Sequence, residues 1–311
     1  MQDRIAQRPI DDIAELDDER PVAGREEAHH HRFPWYNRPV PRSSAVAASG
    51  EPGMGKVINL NADMGEGFGA YDIGDDAGLL EIVASASIAC GFHAGDPVTM
   101  QRVVTQAAER GVSIGAHPGF NDLWGFGRRR IDVNPRELEY MVAYQIGALR
   151  AMAAYAGAKV THLKAHGALN NMAAENLELA LAIGRAMKTV DRDLIYVALA
   201  GSQMEQAALE LGLPVAREGF CDRSYEDDGN LTPRRLPGAV LHDADAIRDR
   251  VVAMVLDEAI VSRSGKRLPV RLDTLCLHGD EPSAVVAARA VRQGLEAAGV
   301  KIVTLPEMNL G

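Results

Sequence analysis

The stretch Val57-Ile58-Asn59-Leu60-Asn61-Ala62-Asp63-Met64-Gly65-Glu66 decides the fold. A short β-type run at 57–61 ends on polar and acidic residues, so one strand delivers Asn61, Asp63 and Glu66 at its C-terminal end. The same arrangement recurs down the chain. Run 86–90 leads into Gly91-Phe92-His93-Ala94-Gly95-Asp96, 112–116 into His117-Pro118-Gly119, and 160–164 into Lys164-Ala165-His166-Gly167. Run 214–217 leads into Glu218-Gly219-Phe220-Cys221-Asp222-Arg223 and 272–277 into His278-Gly279-Asp280. Run 194–199 ends on small residues only, and an eighth run is expected at 301–304. Helical patterns at 97–110, 135–156, 172–189, 202–211, 243–258 and 281–298 have the lengths that crossovers between parallel strands need. Strands alternating with such helices predict an α/β fold with a parallel sheet. An open sheet would scatter these strand ends, whereas a barrel gathers them at one mouth, so a β/α barrel with its helices outside is the expectation.

The chain has 311 residues, 47% hydrophobic and 24% charged, enough for one large domain. Residues 1–55 are rich in charge, Pro and Gly without sustained periodicity and read as a disordered extension, His29-His30-His31 as a solvated tract and Met54 as an alternative start. The barrel is expected over 56–311. A net charge of −10 argues against a phosphate-backbone partner, so no nucleic acid is expected. Cys90, Cys221 and Cys276 are far apart without CxxC spacing, which suggests neither a disulfide framework nor structural zinc and fits a cytoplasmic protein. No apolar run is long enough to span a bilayer and no signal-peptide core is present, so no membrane partner is expected.

Two nucleotide-binding patterns fail on inspection. Gly50-Glu51-Pro52-Gly53-Met54-Gly55-Lys56-Val57 nearly spells a P-loop, but Val57 cannot hold magnesium and the loop precedes a strand instead of opening a helix. Gly65-Glu66-Gly67-Phe68-Gly69-Ala70 fits a dinucleotide fingerprint only loosely; Asp63 and Glu66 would repel a pyrophosphate, and Ile88-Ala89-Cys90 stands where a ribose-binding acid belongs.

The mouth inventory is Asp63, Glu66, His93, Asp96, His117, Lys164, His166, Asp222, His278 and Asp280. Asp63 with His93 and His117 supplies a one-carboxylate, two-imidazole set for a divalent metal with open positions. Alternatively Asp63 or Glu66 acts as general base while Lys164 and a histidine hold a substrate carboxylate and the developing oxyanion. Gly91 and Gly95, bracketing His93, suit a turn with positive φ or close backbone approach. Arg128-Arg129-Arg130 reads as a solvated basic run, with a substrate-anion or phosphate contact as its functional alternative. Asp222, Arg223 and Tyr225 lie in a loop that either closes over the mouth or is held by an internal Asp–Arg pair.

Asn59-Leu60-Asn61-Ala62-Asp63-Met64-Gly65-Glu66-Gly67-Phe68-Gly69 and Ile88-Ala89-Cys90-Gly91-Phe92-His93-Ala94-Gly95-Asp96-Pro97 closely resemble the LamB/YcsF family, the A subunits of 5-oxoprolinase. The likeness continues through Ile114-Gly115-Ala116-His117-Pro118, Lys164-Ala165-His166-Gly167-Ala168-Leu169, Glu218 to Tyr225, Leu231-Thr232-Pro233-Arg234 and Cys276 to Asp280, covering about 56–306. The resemblance implies a deformed seven-stranded β/α barrel related to glycoside hydrolases and polysaccharide deacetylases. It implies a small-molecule substrate, partner subunits B and C, and conversion of 5-oxo-L-proline with ATP as co-substrate to L-glutamate, ADP and phosphate. On this reading Asp63, Glu66, His93, Lys164 and His166 are the catalytic candidates, and Asn61, His117, Asp222, Arg223 and His278 the substrate-binding ones. A metal-dependent deacetylase acting alone and a non-catalytic scaffold are the rival readings, and a homo-oligomer is left open. The family's Lys-Pro-His-Gly-Ala-Leu-Tyr-Asn is changed here, with Ala165 for the Pro and Asn170 for the Tyr; Leu123 stands where many relatives have Arg.

Overall fold

The computed structural model describes residues 56–279 and 284–310. The expected N-terminal extension with its His tract and alternative start, and Asp280, lie outside the described residues.

Strands β1 (Val57–Met64), β2 (Ser85–Ala89), β3 (Ser113–His117), β4 (Val160–Lys164), β5 (Ile195–Leu199) and β6 (Val215–Phe220) pair in sequence order, all parallel. A short antiparallel hairpin, β7 (Ala259–Val261) and β8 (Arg267–Pro269), follows as a separate sheet. Strand β9 (Thr274–Leu277) then pairs with both β6 and β1, which closes a seven-stranded barrel. Strand β10 (Lys301–Ile302) is not a stave. It pairs with Val57 and Ile58; the amides of Lys301 and Val303 donate to the Lys56 and Ile58 carbonyls on the edge where the Leu60 carbonyl next accepts from the Ala84 amide. The predicted eighth run is therefore a two-residue splint below the start of β2.

Helices α1 (Asp76–Leu80), α2 (Pro97–Glu109), α3 (Pro135–Tyr155), α4 (Gly167–Glu175), α5 (Leu177–Val190), α6 (Gln203–Leu211), α7 (Ala244–Asp257) and α8 (Ala284–Ala297) surround the strands. The single helix expected over 172–189 is two. Asn176 has extended φ/ψ, and its side chain accepts from the amides of Glu178 and Leu179, so it ends α4 and caps α5. Asp96 caps α2 through Val98 and Thr99 amides, with Pro97 at the first helical position. Among the described residues no helix is long and apolar enough to cross a membrane.

Side chains alternate across the strands, and here the apolar set faces outward. Ile58, Leu60, Ala62 and Met64 of β1, with Ile88, Ile114, Leu163 and Leu275, belong to the large core shared with the helices. The alternate set fills the barrel with Asn59, Asn61, Asp63, Ser85, Ser87, His162, Lys164, Glu218 and Thr274, all buried. Such an interior costs stability wherever its polar atoms go unpaired, so pairing within it matters. Asn59 donates to Ser85 Oγ at 2.8 Å and to the Val303 carbonyl at 2.7 Å, and accepts from Thr274 Oγ1 at 2.7 Å. At the N-terminal end Ile195, Val197 and Ala216 pack on Leu305, with Met308 and Leu310 beneath, giving the barrel an apolar floor.

Candidate active site

Lys164 sits at the centre of the mouth. It ends β4, is almost fully buried, and places Nζ 2.8 Å from Asp63 Oδ1, 3.2 Å from Glu218 Oε1, 2.7 Å from Cys276 Sγ and 3.5 Å from Asn61 Oδ1. Burial opposes a charged lysine, but Asp63 together with Cys276 and Glu218 outweighs it and holds the ammonium well above its ordinary range. Asp63 is the matching anion: burial alone would raise its carboxyl, while His117 and Lys164 hold it well below the usual range. Glu218 goes the other way. Burial lifts its carboxyl despite Lys164, and its Oε2 has no hydrogen-bond partner.

Beside this pair lies a buried group of four donors. Glu66, His93, His117 and His166 each offer an atom, all within 4.8 Å of one another. Glu66 Oε1 lies 3.1 Å from His93 Nε2, 3.2 Å from His166 Nδ1 and 3.9 Å from His117 Nε2. The histidines come from the ends of different strands: His93 after β2, His117 as the last residue of β3, His166 two residues beyond β4. The His93 and His166 rings stack at 3.7 Å, and the left-handed Gly127 fits against both, since a Cβ there would meet His93 at 2.6 Å and His166 at 2.8 Å.

Backbone carbonyls set the tautomers. His117 Nδ1 lies 2.8 Å from the Lys164 carbonyl and His166 Nε2 lies 2.8 Å from the Phe126 carbonyl, so each ring spends its N–H there. Their other nitrogens then face each other at 3.0 Å. Two lone pairs at that distance repel, and a cation relieves them, either a proton or a metal ion. Burial lowers His93 to about 3 and also lowers His166, while Asp63 overcomes burial to raise His117, so in the ion's absence the proton belongs on His117. One carboxylate and three imidazoles suit a divalent ion, and the carbonyl partners of His117 and His166 orient those rings as metal-binding histidines are oriented. The residues therefore fit a metal. Asp63, expected in the ligand set, stands next to it, 3.3 Å from His117 Nε2.

A cleft of about 430 Å³ opens over the pair and is lined by Asp63, Lys164, His166, Phe220, Arg223 and His278, among others. Asn61, His117 and Asp222 do not border it. Asn61 lies beneath Lys164 on Glu218 and Thr274, and Asp222 pairs with His278 Nδ1 at 2.8 Å. Arg223 is not bonded to Asp222; it donates to the Ala239 and Thr232 carbonyls and ties down the loop that follows β6. That loop is further held by Ser224 and Thr232 amides and by Asp227 with Ser262 and Ser264 of the β7–β8 hairpin. Asp96 takes no part in the mouth because its carboxylate is spent on the α2 cap and on the Gly69 amide. Asn170, at the family's Tyr position, lines the cleft with its buried Oδ1 unpartnered. The contributions missed from sequence are Glu218 and Cys276 around Lys164; both were visible as polar residues at strand ends, but their pairing across the barrel was not.

Comparisons with known proteins agree with this fold. The chain is 57% identical over 247 residues to a 5-oxoprolinase A subunit of Rhodopseudomonas palustris (strain BisB5), covering 79% of this chain and 97% of the relative. It is 55% identical over 248 residues to the second of the 5-oxoprolinase A subunits of Bradyrhizobium diazoefficiens, with the same coverage. A crystal structure of a lactam utilization protein from Thermus thermophilus superposes with a TM-score of 0.76 at 42% identity, over 80% of this chain and all of that one. The family model described as LamB/YcsF matches residues 58–310, and the chain belongs to the LamB/YcsF family.

Proposed function

We propose that the chain is the A subunit of an ATP-dependent 5-oxoprolinase, a cytoplasmic hydrolase that opens the lactam of 5-oxo-L-proline to L-glutamate together with subunits B and C. The observation that carries this is the buried Lys164–Asp63 pair beside His117 at the base of a small cleft, in a chain whose relatives bear that name.

An unstrained lactam is a poor electrophile, and phosphoryl transfer from ATP to its oxygen makes the ring carbon open to water. Water addition gives a tetrahedral carbon bearing hydroxyl, phosphoryl oxygen and ring nitrogen. Loss of phosphate from that carbon would merely return the lactam, so productive collapse needs the nitrogen protonated as the C–N bond breaks. Asp63 accepts the proton of the attacking water, and the ammonium of Lys164, which borders the cleft, supplies the proton to nitrogen. The acyl phosphate released then takes a second water to give glutamate and phosphate. A divalent ion held by Glu66, His93, His117 and His166 would polarise an oxygen of the substrate or acidify a water. That same donor set favours a second reading, a metal-dependent amide hydrolase needing no ATP.

The test is glutamate release from 5-oxoproline and ATP by the chain with its B and C partners, against the mixture without it and against His93→Ala and Asp63→Asn. Release that requires the chain and both side chains supports the assignment. No release with competent partners refutes it, release without ATP favours the second reading, and release indifferent to both substitutions leaves the chain a scaffold.

A further inference from the structure

A second titratable pair borders the cleft beside Lys164 and Asp63. Ala62 of β1 lies opposite Leu277 of β9 in the ladder, so the next residues, Asp63 and His278, stand side by side at the ends of paired strands. The backbones are close there, since a Cβ on Gly279 would meet the Asp63 carbonyl oxygen at 2.8 Å. Asp63, Lys164, Phe220 and His278 all line the cleft. The His278 ring lies nearly parallel to that of Phe220 with centroids 5.5 Å apart, and Lys164 Nζ is 5.2 Å from the centroid of the same Phe220 ring.

Asp222 fixes the tautomer of His278. Nδ1 lies 3.0 Å from Asp222 Oδ1 and 2.8 Å from Oδ2. Burial would raise the Asp222 carboxyl, but His278, helped by the backbone and by Arg234, holds it below the usual range. The carboxylate is therefore ionised, Nδ1 carries the proton that it accepts, and Nε2 is the nitrogen left for the cleft. The segment that carries Asp222 is itself anchored. The Leu241 amide donates to the Asp222 carbonyl at 2.8 Å, Arg250 donates to the Cys221 carbonyl at 2.9 Å, and the Phe220 amide donates to the Tyr225 hydroxyl at 2.7 Å. An imidazole with Nδ1–H on a buried carboxylate is built as a base at Nε2, because the cation formed there finds its counter-charge already in place.

The proposed route consumes two waters. After the first, Asp63 holds the water's proton and Lys164 has given its own to nitrogen; 2.8 Å between Nζ and Oδ1 lets that proton cross and restores the ion pair. Both Asp63 oxygens are then shared again, Oδ1 with Lys164 and Oδ2 with His117. The second water meets an acyl phosphate whose own amine competes for the same carbon. Attack by the amine re-forms the lactam and loses phosphate with no glutamate made, so fast activation of that water decides whether ATP is consumed productively.

We propose that His278 takes the proton of the water that cleaves the acyl phosphate, with Asp222 as its positioning residue. The water's proton passes to Nε2, its oxygen bonds to the acyl carbon, and the bond from that carbon to the phosphate oxygen breaks with its electron pair leaving on phosphate. The imidazolium is held by Asp222 and returns its proton to solvent through the open cleft. This role rests on the hydrolase reading.

The experiment measures ADP and glutamate together in the complex of the chain with its B and C partners, supplied with 5-oxoproline and ATP. In His278→Gln, glutamate release should fall by about 10²- to 10⁴-fold, the usual weight of a general base, while ADP formation persists, so ADP made per glutamate rises steeply. Hydroxylamine should capture the stranded acyl phosphate as a hydroxamate. Asp222→Asn should shift the ratio in the same direction by less, and added imidazole should restore coupling in His278→Ala. A structural role would lower ADP and glutamate together, so an unchanged ratio with an active wild type overturns this role and leaves the hydrolase standing. Unchanged glutamate release in His278→Gln overturns it as well. A wild-type mixture that makes no glutamate removes the hydrolase and this role with it.

Discussion

His166 Nδ1 and His117 Nε2 face each other at 3.0 Å while the far nitrogen of each ring is committed to a carbonyl. Whatever sits between them must be positive. Zinc or another divalent ion added to metal-stripped protein should raise the thermal midpoint, by an amount corresponding to about 2.7 kcal/mol at a hundredfold excess over Kd. A chelator should reverse it, and His166→Ala should abolish it. A midpoint indifferent to metal, or one that rises equally in His166→Ala, would show that a proton alone fills the role.

Lys164 neutralises Asp63 and lies against Glu218. Lys164→Met should therefore abolish glutamate release and destabilise the fold by about 3–5 kcal/mol, because a buried charge is left without its partner. Urea denaturation of Lys164→Met combined with Asp63→Asn should recover much of that loss with no return of activity. Full recovery of activity in the double variant would remove both residues from the chemistry.

Burial lowers His162 to about 3, and its Nε2 has no partner. Between the ordinary pKa near 6.5 and that value the unfolded chain carries the proton and the folded chain does not. His162 thus contributes stability above about pH 6.5 that is lost as pH falls toward 3, at up to about 1.4 kcal/mol per pH unit. His162→Asn should flatten the acid limb of a stability profile by one proton. An unchanged slope would mean that the ring is already protonated in the fold.

Gly115 has no side chain because the His162 ring occupies the space where a Cβ would stand. Gly115→Ala should destabilise by about 1–3 kcal/mol through overpacking. In a His162→Ala background the same substitution should be nearly neutral, and a full penalty in both backgrounds would place the clash elsewhere.

The barrel was legible because every strand end but that of β5 carries its own polar signature, and Asp63, His117 and Lys164 stand where those signatures put them, at strand ends beside one another. The role of Asp96 was also written in the sequence, as an Asp-Pro pair opening a helix, but its carboxylate was read as chemistry instead of a cap. Other features had no local signal. Asn61 turns beneath Lys164 and not into the cleft, since strand alternation fixes its face but not its depth. The meeting of Glu218 with Lys164 depends on staves more than fifty residues apart in sequence, and the β7–β8 hairpin has strands of only three residues, too short to show a period.

Residues 303–310 lay an apolar floor under seven staves that are all made before it. In the order of synthesis, the amides and hydroxyls at the bottom of the barrel, Asn59 and Ser85 among them, wait for the Val303 carbonyl and the Leu305 amide. A nascent chain halted after His278 therefore has the lining of the cleft but an unsealed, wettable bore, and the site gains its solid footing only when residues 303–310 fold back beneath it.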